Sequence, residues 1–124
     1  METEKLISKL IDLPKRLAAI QLSVLDKSQN AQKISNEIIR CETKLRVVIA
    51  GLTDDSGKKL HSNEDARRAA FVEMSEDDLE LNELKKESSK IERDVQEERI
   101  NFDALTSEQK NIRAILMFLS GTQQ

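Results

Sequence analysis

Aromatic side chains are almost missing from this chain: there are three phenylalanines, no tryptophan and no tyrosine among 124 residues. A compact globular core of that size draws much of its buried area from large rings. The apolar content here is instead leucine, isoleucine, valine and alanine. Punctuation is just as scarce, with three glycines and one proline, too few for the many turns of an all-β fold. Cys41 is the only cysteine, which excludes an intrachain disulfide and fits a reducing compartment. His61 is the only histidine, so the paired Glu-x-x-His ligands of a di-iron bundle are excluded. No apolar run approaches the ~18 residues of a membrane span, and Met1 to Lys5 lead into an amphipathic stretch rather than an apolar leader. The reading is a cytoplasmic protein with no membrane partner.

What is abundant is charge of both signs, 35% of residues with a net charge of −3. That balance supplies neither the basic field of a nonspecific nucleic-acid binder nor an acidic tail. High Glu, Lys, Leu and Arg usage is the composition of long helices.

Apolar spacing then decides the fold class. Leu6, Leu10, Leu13, Leu17, Ile20, Val24, Lys27, Ala31, Ile34, Ile38, Cys41, Leu45, Val48 and Leu52 follow one another in alternating steps of four and three. Only Lys27 is not apolar. Leu81, Leu84, Ser88, Ile91, Val95, Glu98, Phe102, Leu105, Gln109, Ile112, Leu116 and Leu119 do the same, interrupted at Ser88, Glu98 and Gln109. A period of 3.5 is the seam of a left-handed coiled coil, and polar residues in it trade stability for register.

Between the runs, Gly51 to His61 holds two glycines with Asp and Ser, a helix stop followed by a turn. Ser62 with Asp65 reads as the cap of a second helix. The expectation is all-α: one domain over 1–124, an antiparallel two-helix coiled-coil hairpin. Helix one covers about 4–50, the turn about 51–61 and helix two about 62–119. Three points stay open. Pro14 either kinks helix one or marks a fresh start capped by Asp12. Ser75 and Asp78 offer a second helix start, which would leave Ala66, Ala70, Phe71 and Met74 on a short separate helix. The β-branched stretch Leu45–Leu52 offers a short β-ribbon at the turn.

A lone hairpin buries one stripe per helix, a thin core for so long a chain. Ile7, Ile11, Ala18, Leu22 and Leu25 lie outside the first seam, and Ile115, Met117 and Phe118 outside the second. These point to an oligomer interface formed by Ile7, Leu10, Ile11, Ala18, Leu22, Leu25, Ile115, Leu116 and Phe118, closing a homodimer or homotetramer. The turn carries Lys58, Lys59, His61, Arg67 and Arg68, a tip at which another protein could bind.

No catalytic, cofactor or metal site emerges. His61 beside Ser62, Asp54 and Asp55 lies on a turn with no preorganised triad geometry. Asp54 to Asp65 lacks the sixth-position glycine and alternating oxygens of a calcium loop. Cys41 reads as a small core residue, and Glu76, Asp77, Asp78, Glu80 and Glu83 as a solvated face. Nucleic acid is disfavoured because the stacking platforms of single-strand binders are missing. The function expected is therefore a non-enzymatic structural or interaction module without cofactor or small-molecule substrate.

The run Gly57-Lys58, Ser62-Asn63-Glu64 and Arg67, followed by a heptad helix, resembles small helical-hairpin proteins of bacteria and their phages over about residues 40–119. That resemblance implies the fold more than an activity; an accessory role in phage or bacterial DNA metabolism is an alternative function. The two-helix outline is similar to prefoldin-type holdase chaperones, although the joint is shorter than the β-hairpins of those subunits.

Overall fold

The computed structural model describes residues 2–122, and its described residues form three helices: α1 (Glu2–Gly51), α2 (Glu64–Asp77) and α3 (Leu79–Thr122). No β-strand occurs among them. The all-helical class therefore stands, with a third helix where the sequence pattern suggested two.

The extra boundary has a physical cause. Glu76 and Asp77 would each face Glu80 about one turn on in a continuous helix, and like charges at that spacing repel. Breaking at Asp78 (φ −82°, ψ 106°) moves Asp78 and Glu80 to the start of α3, where the helix dipole favours acids. Asp78 becomes the cap: its Oδ1 accepts from the Leu81 amide at 3.0 Å. The Asn82 side chain then closes the corner, donating to the Glu76 carbonyl at 2.8 Å. Ser75 does not cap; it stays inside α2 and donates to the Val72 carbonyl.

Other boundaries also shift. Asn63, not Ser62, caps α2, accepting from the Ala66 amide at 2.7 Å. This places Glu64 and Asp65 together in the first turn. Pro14 lies inside α1 without a fresh start at Asp12. Its ring is exposed while Leu13 beside it is 1% exposed, so the buried neighbour holds the helix across the lost backbone hydrogen bond. The proposed ribbon over Leu45–Leu52 is absent, because α1 continues to Gly51. Pairing is confined to one antiparallel bridge inside the turn, Thr53 to Lys59. There Asp54 Oδ1 accepts from the Ser56 and Lys58 amides and the Ser56 hydroxyl, and Gly57 takes the positive φ of 83° that closes the loop.

The chain divides into two compact units. The first comprises residues 1–29 and 93–124. In it Leu13, Val95 and Ile112 are buried, and Leu6, Leu10, Leu17, Ile20, Val24, Phe102, Leu105, Leu116 and Leu119 are half-buried. The second comprises residues 30–92, where Ile34, Ile49, Ala70, Leu81 and Ile91 form the core.

The α3 stripe read from the sequence is buried or half-buried at every position from Leu81 to Leu119. The α1 stripe holds until Leu45 and then slips by one residue: Val48 is 51% exposed and Ile49 is 1% exposed. Ile38, Cys41, Leu45 and Ile49 are spaced three, four, four, an eleven-residue step close to the natural helix period. A strict heptad stripe needs a supercoil to keep facing one partner, and this end of α1 belongs to a unit that also contains α2.

Candidate functional site

Within the first unit, contacts between α1 and α3 run in opposite residue order: Lys9 pairs with Glu108 at 3.7 Å, and Lys27 with Glu98 at 3.0 Å. They also fix which flank of the seam each side chain occupies. Lys9, Arg16, Ala19 and Ser23 each directly precede a seam residue, as do Asn101, Ala104 and Glu108 on α3. Arg16 and Ala19 share a shallow groove with Asn101 and Ala104, and Lys9 meets Glu108. The residues preceding seam positions thus line one flank, and those following seam positions line the other.

The nine residues expected at an oligomer interface sort cleanly by this rule. Leu10 and Leu116 are half-buried in the chain's own seam. Ile115 and Phe118 (45% and 70% exposed) precede Leu116 and Leu119 and lie on the polar flank. Ile7, Ile11, Ala18 and Leu25 directly follow Leu6, Leu10, Leu17 and Val24, and all lie on the opposite flank. Leu22 stands further out, and Met117, following Leu116, joins this second flank from α3. Ile11, Leu22, Leu25 and Met117 are each more than half exposed. Beside them Arg99, Asp103, Lys110 and Arg113 of α3 follow seam positions too, so the apolar flank is bordered by charges, three of the four positive. The sequence pattern gathers both groups at one end, but it cannot separate the flanks without knowing which α3 residues meet α1.

Lys27, the polar interruption of the first stripe, and Glu98, one of three in the second, turn out to be partners. Glu98 accepts from the Ser23 hydroxyl at 2.7 Å and from the Lys27 ammonium at 3.0 Å through the same oxygen, Oε1. The Ser23 hydrogen bond first, and the Lys27 contact next, hold the Glu98 carboxyl below its ordinary pKa. Its Oε2 is buried without a partner among the described residues. Lys27 and Glu98 are each visible in the sequence as a break in a stripe; their matching is not.

In the second unit the expected tip residues separate. Lys58 and Lys59 are exposed on the turn. His61 is half-buried, and its carbonyl accepts from Arg67 at 3.4 Å. Arg67 and Arg68 line a groove of about 510 Å³ between α1 and α2, together with Arg46, Ile49, Phe71 and Val72. The Arg46 guanidinium lies 4.5 Å from the centroid of the Phe71 ring, a cation–π contact. Sequence reasoning missed Arg46 and Phe71 as site residues, although any aromatic in a chain so poor in rings was itself a signal.

Cys41 is half-buried. Burial first, then the negative charges of Glu80 and Asp78, raise its thiol pKa and keep it protonated. Among the described residues no cluster of His, Cys, Asp and Glu side chains is arranged to hold a metal, and no helix is long and apolar enough to cross a membrane. No protein-family model matches the chain, and no curated protein or solved structure matches it either.

Proposed function

We propose that this protein is a non-enzymatic interaction module that assembles with copies of itself into a helical bundle, its α1 and α3 acting as antiparallel coiled-coil arms. The observation that carries the reading is the apolar flank of α1. Ile7, Ile11, Leu22 and Leu25 remain 44–68% exposed although the seam beside them is already filled by the chain's own α3. Large exposed apolar stripes next to a satisfied seam are surfaces awaiting a second helix layer. A two-fold contact of α1 on α1 would set this flank against itself and leave Arg99, Lys110 and Arg113 at the rim, where charges remain solvated.

The test is solution mass by light scattering across a hundredfold concentration range. The reading predicts a dimer or tetramer that the pair Ile11→Asp and Leu25→Asp dissociates, whereas Lys59→Asp leaves it intact. A mass equal to one chain at every concentration overturns it and assigns the flank to a different protein. Dissociation by Lys59→Asp alone would move the interface to the turn.

A further inference from the structure

The groove between α1 and α2 is independent of that assembly surface and has its own chemistry. Its lining is partly apolar: Ile49 is 1% exposed at the bottom, Phe71 is half-buried, and Val72 is 56% exposed at the edge. Its walls carry Arg46, Arg67 and Arg68 against a single carboxylate, Glu64. Glu64 is committed to Arg68 at 3.1 Å, and both side chains are about three-quarters exposed. Neither Arg46 nor Arg67 has a carboxylate within ion-pairing distance among the described residues.

The way these two guanidiniums are held matters. Arg46 lies over the Phe71 ring, which engages the face of its plane and leaves the in-plane N–H donors free. Arg67 spends one donor on the His61 carbonyl at a long 3.4 Å. Such forks match a carboxylate, sulfonate or phosphate. A neutral apolar guest would strip water from these cations without replacing it. A bare inorganic anion would leave the apolar floor wet. The volume, about 510 Å³, falls within the range of small-molecule sites.

We infer that this groove is a binding site for an amphipathic organic anion, its acid group held by Arg46 and Arg67 and its apolar or aromatic body lying on Ile49, Phe71 and Val72. These residues meet only when α1 and α2 pack together, so no local pattern in the sequence marks the site.

The experiment uses the full chain and two fluorescent probes of one shape, anilinonaphthalene sulfonate and the uncharged phenylnaphthylamine. The sulfonate is expected to saturate at one dye per chain and to bind more tightly than the neutral dye. Salt should weaken the sulfonate alone, a readout that requires no substitution. Arg46→Gln with Arg67→Gln should weaken the sulfonate at least about tenfold. Lys58→Gln with Lys59→Gln removes the same charge from the turn and should leave it unchanged. The Ile11→Asp and Leu25→Asp background, which removes the apolar flank of the first unit, should also leave it unchanged. The inference is overturned if the neutral dye binds equally well, if salt has no effect, or if the flank substitutions abolish binding. Displacement of the dye by a single-stranded oligonucleotide, but not by decanoate, would also overturn it and assign the arginines to a phosphate backbone.

Discussion

At the scale of single residues, the Ser23, Lys27 and Glu98 cluster is the most consequential contact in the first unit. Glu98 has a folded pKa below its ordinary value of 4.5. A depressed carboxyl contributes stability that is present in full above the unfolded pKa and fades as pH falls through the folded one. Thermal unfolding is therefore expected to show a loss of stability below about pH 4.5 that Glu98→Gln flattens and Ser23→Ala reduces. Replacing Lys27 and Glu98 together by leucine should stabilise the fold while loosening its register, since a partly buried ion pair specifies more than it stabilises. Hydrogen exchange along α3 would separate the two effects.

At the scale of elements, one boundary and one proline inside a helix carry measurable free energy. Asp78→Ala removes the α3 cap and returns like charges to a continuous helix; about 1 kcal/mol of stability should be lost in urea denaturation. Pro14→Ala restores one backbone hydrogen bond in the middle of an exposed helical face, and a gain of about 1–3 kcal/mol is expected by the same measurement. The elements also show how far sequence alone reaches. The seam was legible because burial in a helix pair follows spacing, and every α3 position from Leu81 to Leu119 obeyed it. The Asp78 break was legible only as one of two options, because capping chemistry at Ser75 and Asp78 is alike until the fold chooses. Ile49 replaced Val48 since the stripe follows the partner, and this end of α1 shares its unit with α2 as well as the start of α3. The groove at Arg46 and Phe71 was illegible for a related reason: a ring and a guanidinium 25 residues apart carry no local pattern.

At the scale of the whole molecule, each unit has few buried side chains among the described residues, with Leu13, Val95 and Ile112 in one and Ile34, Ile49, Ala70, Leu81 and Ile91 in the other. Self-association of the kind proposed would couple folding to concentration, because a partner that binds only the folded chain shifts the unfolding equilibrium by mass action. The midpoint of thermal unfolding should then rise with protein concentration. Ile11→Asp with Leu25→Asp should make it independent of concentration, as followed by circular dichroism.

The pairing of Lys27 with Glu98 also acts as a proofreading device. Slide α3 along α1 by one heptad and Lys27 meets Ile91 or Leu105 in place of its carboxylate, while Glu98 meets Ile20 or Ile34. Either slip strands two opposite charges against aliphatic neighbours, whereas the purely apolar layers would accept the new alignment with little complaint. Two leucine-rich stripes can be zipped together in several ways; one misplaced lysine and one misplaced glutamate, each a blemish when its helix is considered alone, leave only one alignment in which both are at home.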